Sequence, residues 1–259
     1  MINSRKSLIR RNGFSLIELA IVLLIVALLL GGLLPTLSSQ IEQQHRNETL
    51  KQLEEVKIAL IGYALANGRL PCPADATIPS GQTNAGLEAT TGSGATLTCT
   101  NLTGGVVAWG VLPRATLGTS ETDAWGKRFT YRVTHEFADA IGLNTYGGTC
   151  TPAIPPLFSS FALCSDGNLT VRTTSIGGTI IADKIPAVII SHGANGFGAY
   201  LPTGLQFLPI PPANTDEIDN TDTNTIFVSH ENSPTFDDLL VLISPNILYN
   251  RMVSAGKLP

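Results

Sequence analysis

One carboxylate, Glu18, sits inside a run that is otherwise apolar, FSLIELAIVLLIVALLLGGLL from Phe14 to Leu34. A carboxylate in lipid is costly unless it is protonated or meets a cation, so Glu18 calls for a partner. Four cysteines, Cys72, Cys99, Cys150 and Cys164, all follow that run and offer disulfide or metal chemistry. Zinc is the weaker of these, because no C-x-x-C exists and the four histidines are scattered. Asp216, Glu217, Asp219 and Asp222 gather in one acidic segment, and Asp237-Asp238 follow. Such hard oxygen ligands suit calcium, but their spacing matches no defined calcium loop, and a solvated acidic loop is the competing reading. His192, His230 and Glu231 have the residue types of a catalytic group. No G-x-S-x-G, H-E-x-x-H or glycine-rich phosphate loop accompanies them, so no enzyme is expected.

The elements that must carry these residues begin with the apolar run. Its 21 residues would form a helix of about 31 Å, enough to span the hydrocarbon core of a bilayer. Residues 1–13 hold Arg5, Lys6, Arg10 and Arg11 and no acid, while the remaining residues carry a net charge of −8. A basic start before an apolar run places the start in the cytoplasm and the rest outside. A secretory signal peptide is the alternative; the length of the run, the lack of a clear A-x-A-like cleavage site and Glu18 count against it. The acidic balance and the absence of a long Lys/Arg run exclude nucleic acid as an expected partner.

Residues 37–66 read as an amphipathic helix, with Leu50, Leu53, Val56, Leu60 and Ala64 on one side. Asn67-Gly68 is a left-handed stop and Pro71 prevents resumption. His45 falls in the polar upper part, where a solvated role is expected. Candidate strands follow at 106–112, 128–134, 169–174, 187–192, 225–229 and 239–244. A short helical turn is expected at 135–142 and a C-terminal helix at 245–256, with long loops at 74–104 and 201–224. The fold class is α+β: a long N-terminal helix, half transmembrane and half amphipathic, packed on an antiparallel β-sheet head.

Gly13-Phe14-Ser15-Leu16-Ile17-Glu18, after a basic leader and before the apolar run, resembles the processing site of type IV prepilins and type II secretion pseudopilins. The resemblance implies a type IV pilin-like fold and cleavage between Gly13 and Phe14 by a prepilin peptidase that also methylates Phe14. The chain then divides into a leader at 1–13, a transmembrane segment at 14–34, the periplasmic half of the helix at 35–68 and a head at 69–259. Cleavage frees the α-amine of Phe14, which Glu18 of a packed neighbour can meet, so Glu18 is read as setting subunit register. Pro35 fits the helix kink seen in the family. Asp123-Ala124-Trp125-Gly126 and Ser191-His192-Gly193-Ala194-Asn195-Gly196 resemble turns of pseudopilin heads, with glycines serving backbone geometry.

An even cysteine count in a periplasmic head points to two disulfides. Of three connectivities, Cys72–Cys99 and Cys150–Cys164 are favoured because each closes a Gly/Pro/Thr-rich loop. Related pseudopilin heads have a calcium-stabilised loop near the C-terminus, which keeps calcium open for the acidic segment. The implied function is that of a structural, low-copy subunit of a pilus or secretion pseudopilus, held in the bacterial inner membrane until it enters the fibre. Its partners would be other pilin or pseudopilin subunits and the prepilin peptidase. The alternative is a periplasmic binding or enzymatic domain that uses the helix only as a tether.

Overall fold

The computed structural model describes residues 15–143, 157–212 and 215–259, with the backbone alone described at 30–37. The chain divides into two compact units, Met1–Gln44 and His45–Pro259. One helix, α1 (Leu16–Asn67), contributes to both.

In the first unit the described side chains of α1 are those of 16–29 and 38–44, and the large apolar ones among them are all exposed. They point in every direction around the axis, so no single face is set aside for a core. Among the described residues no helix is long and apolar enough to cross a membrane. The expected span at 14–34 runs past the described side chains at both ends. The 15 residues from Ser15 to Leu29 rise only about 22 Å, short of the roughly 30 Å core of a bilayer. The transmembrane expectation therefore rests on the sequence.

The second unit begins with the last six turns of α1. Leu53, Val56, Leu60 and Ala64 are buried there, as the three- and four-residue spacing predicts. Leu50, expected on the same face, is exposed. The helix stops where Gly68 adopts φ +74°; a Cβ at that point would lie 2.2 Å from the Phe158 carbonyl oxygen. After α1 the elements run β1 (Thr90–Thr91), β2 (Thr98–Cys99), β3 (Leu102–Thr103), β4 (Val107–Val111), α2 (Arg114–Leu117) and β5 (Thr130–Thr134). Then come β6 (Leu169–Arg172), β7 (Ile180–Ile185), β8 (Ala187–Ser191), α3 (Asp216–Thr221), β9 (Ile226–Val228), β10 (Leu239–Ile243) and α4 (Pro245–Ser254).

The main sheet is antiparallel, in the order β10-β8-β5-β4-β3. Its register gives it two different faces. Ala108, Tyr131, Val133 and Ile189 lie on one, packed with the buried positions of α1 and with Leu248, Met252 and Leu258 from α4 and the chain end. Val107, Val188 and Ile190 lie on the other and pack with Leu169, Val171, Ile185 and Phe227 from a smaller sheet. That second sheet, β7-β6-β9, is a departure from the single antiparallel sheet expected, because β6 and β9 run parallel. The α+β class holds.

All six expected strands form, as do a 3-10 turn at His135–Phe137 and α4. The expected loop at 74–104 contains the β1–β2 pair, and α3 lies in the expected loop at 201–224. A Cys72–Cys99 disulfide ties β2 to the segment after α1, with the Cα atoms 5.3 Å apart. Cys164 is also disulfide-bonded, and its expected partner, Cys150, lies outside the described residues.

Candidate functional site

Two turns that the sequence marks out separately meet at one end of the neighbouring strands β5 and β8. Asp123 closes the first: its Oδ1 accepts the backbone N–H groups of Trp125 and Lys127, at 3.0 and 2.9 Å. Gly126 supplies the left-handed backbone that this tight turn needs, at φ +79°. Asp123 Oδ2 accepts the Ser191 hydroxyl at 2.6 Å. Lys127 Nζ donates to the carbonyls of Gly193 and Ala194, at 2.9 and 2.7 Å, so its ammonium fastens the second turn. Gly193 has no room for a side chain, since a Cβ would fall 2.5 Å from Asp237. The first turn also reaches α1, where the Thr49 hydroxyl accepts the Ala124 N–H and the Trp125 ring meets the His45 ring edge-on at 5.9 Å. His45 therefore packs on an aromatic ring rather than standing free in solvent as expected.

The acidic residues sort differently from the sequence pattern. Asp216 accepts from the Ser175 N–H and faces His230, while Asp222 caps its own turn by accepting from the Asn224 N–H. Glu217 instead joins Asp237 and Asp238, with one oxygen from each carboxylate within 4.8 Å of the others. Glu217, Asp237 and Asp238 are thus the carboxylates brought together, whereas Asp216 and Asp222 of the expected set turn to other partners. Burial, opposed by hydrogen bonds from Asn195 and Asp237, raises the Glu217 pKa, and the nearby Asp237 carboxylate raises it further. Burial also lifts Asp238 well above the usual carboxylate range, helped by Glu217 and Asp237. Three carboxylates in such proximity favour protons or a hard cation among them.

His192 lies next to this group but is sealed from solvent, at 1 % exposure. Its Nε2 is 2.8 Å from the Thr130 hydroxyl, and its Nδ1 is 3.7 Å from Asp238, beyond hydrogen-bond reach. Burial, with Arg132 and Lys127 nearby, depresses its pKa to about 3, so the ring is neutral at any ordinary pH. His230 stacks on Phe236 instead, at 3.9 Å between ring centroids. His192 and His230 therefore keep different company: His192 meets the buried Thr130 hydroxyl, and His230 meets Asp216 and the Phe236 ring.

The N-terminal residues have a plainer geometry. Glu18 lies in the first turn of α1 and is exposed among apolar neighbours. Gly13 and Phe14 precede the described residues, and Pro35 falls inside α1 where only the backbone is described. Residues 8–34 match the family model of the prokaryotic N-terminal methylation motif. The chain carries the hallmark of type IV prepilins and pseudopilins. Neither a curated protein nor a solved structure matches the chain. The motif marks a pilin-like precursor, and its 27 positions include Gly13, Phe14 and Glu18. Beyond the motif the head carries the rest of the site, and much of that is not visible in the sequence. Thr49, Lys127 and the Arg69–Glu88 ion pair, 2.7 Å long and largely buried, all act through partners far away along the chain. Only the turn residues around Asp123 and Gly193 left a local signal.

Proposed function

We propose that the mature chain is a low-copy structural subunit of an envelope fibre, of the type IV pilus or type II secretion pseudopilus kind. The observation that carries this is the methylation motif at 8–34 running into a 52-residue helix whose far end is part of the head's core. In this reading a prepilin peptidase cuts between Gly13 and Phe14 and methylates Phe14. The chain sits once across the bacterial inner membrane, with its N-terminus cytoplasmic and its head periplasmic, until the apolar helix packs among those of other subunits. Glu18 meets the Phe14 amine of a neighbour, and that charge pair penalises misregister in a low dielectric. Pro35 relaxes the helix where it leaves the bilayer. The low copy number rests on the mature length of 246 residues, large for a major subunit. Cys150 and Cys164 form the second disulfide.

Mass spectrometry of the protein from its native cell tests this directly. The expected N-terminus is methylated Phe14, and a bulky residue at Gly13 should leave a precursor longer by 13 residues. An intact Met1 end beside a working peptidase would overturn the reading. The tether alternative is separated by Glu18→Val, which it predicts to be silent.

A hard cation such as calcium belongs to this reading as a stabiliser of the head. The convergence of Glu217, Asp237 and Asp238 supports it, because two of these carboxylates are buried. Calcium should raise the melting midpoint of the full chain relative to chelator, and Asp237→Asn should abolish that shift.

A further inference from the structure

A groove of about 390 Å³ lies between the head end of α1 and the segment after α2. Val56, Ala59 and Leu117 give it an apolar floor, and Gln52, Glu55 and Thr119 stand around it. Among the described residues, two atoms of these lining side chains, Gln52 Oε1 and Thr119 Oγ1, are buried with no hydrogen-bond partner. Buried polar atoms are almost always paired, so this couple belongs to lining side chains that can re-pair when the groove is filled. The Gln52 amide can present either end and the hydroxyl can donate or accept, so neither fixes the sign of the occupant. Glu55 does. Its side chain is 62 % exposed, and its ion pair with Lys51 is long, at 3.8 Å. A long aliphatic stem on the apolar floor with a cationic head among these groups satisfies every feature at once, which is how lysine and arginine bury themselves.

We propose that this groove receives a lysine or arginine side chain from a neighbouring, non-identical subunit of the same fibre. The inference rests on the assembly reading given above. The choice of a different chain follows from charge: beyond residue 13 this protein carries a net charge of −8, so its own copies repel one another while a more basic subunit is drawn in. The groove thus selects a partner of complementary charge at the level where the helix becomes part of the head.

Site-specific photocrosslinking tests this in the native cell with the full chain. A benzophenone amino acid replaces Ser120, which is exposed at the rim. The expected product is a crosslink to a different pilin-like subunit, mapped by mass spectrometry to a peptide bearing a lysine or arginine at the junction. Glu55→Lys and Ala59→Trp should each lower its yield about tenfold or more. Glu54→Lys, exposed and outside the groove, should leave it unchanged. Melting of the full chain in detergent checks that Glu55→Lys has kept its fold. Capture of a second copy of this chain, capture indifferent to Glu55→Lys, or no capture by a processed wild-type chain would each overturn the groove assignment. A wild-type chain that retains residues 1–13 would instead overturn the assembly reading itself.

Discussion

Between Leu16 and Leu29 the large apolar side chains of α1 are all exposed, whereas Leu53, Val56, Leu60 and Ala64 of the same helix are no more than 1 % exposed. Helix propensity does not explain the difference, because both stretches are rich in leucine, isoleucine and alanine. Patterning does. The later stretch alternates its apolar residues with Lys51, Glu54, Glu55 and Lys57, so one face is reserved for a core in the same chain. The earlier stretch reserves none, and its apolar side chains are exposed on every side among the described residues. The helix is thus an internal element at one end and an interaction element at the other.

The boundary between those roles can be broken first by truncation. A fragment from 45 to 259 should fold cooperatively, whereas one from 69 to 259 should not. The second lacks four buried apolar side chains, each worth about 1.5–3 kcal/mol apart from the smaller alanine, against a typical total stability of about 5–15 kcal/mol. Circular dichroism melts of the two fragments decide it, and equal melts would sink the division at His45.

Glu18→Val sharpens the comparison from the other side. It should abolish entry into fibres, since breaking a buried pair from one side costs about 3–5 kcal/mol, yet leave insertion, processing and the head's melting untouched. Quantitative blotting of sheared fibres against membranes reads the first effect. Normal incorporation would remove Glu18 from its role.

Next in size is the disulfide. Replacing Cys72 and Cys99 together by serine frees a loop of 27 positions, and should lower stability by about 3.5 kcal/mol in the chain-entropy model. Processing and membrane retention, which depend on the other end of the chain, should not change. Denaturant titration of the purified protein gives the difference.

The smallest effect is a pH dependence confined to the head. The hydrogen bond to Asp139, opposed by burial, raises the His135 pKa above the ordinary histidine value. The folded state therefore binds this proton more tightly than the unfolded state. Its contribution is complete below about pH 6.5 and is lost as pH rises through the higher folded value. The melting midpoint should therefore fall slightly from pH 6 to 8, and His135→Gln should flatten that part of the curve.

These expectations draw on unequal shares of sequence and structure. The processing motif, the head half of α1 and the six main strands could be read because their signals are local: a glycine–phenylalanine–glutamate spacing, a helical period, β-branched runs between turns. The short β1, β2 and β3 strands have two residues each, too few for any alternation to register. β7 was missed because Ile180-Ile181-Ala182-Asp183-Lys184-Ile185 does not alternate, and Lys184 breaks its regularity at φ +56°. The carboxylate cluster is hidden from the sequence for a different reason. Asp237 and Asp238 reach Glu217 only through the folding of α3 against the segment before β10, and no spacing within 216–222 could reveal that.

Leu258, next to the last residue, lies in the same buried cluster as Leu53 and Leu60 near the head's beginning. A chain made from its N-terminus onward cannot complete that cluster until residue 258 has emerged. Timing then follows from topology: the cluster that α1 begins is finished only late, after Leu258 has joined it. The interval before that completion is when the nascent protein is most open to misassociation, and when a holding partner has the most to offer it.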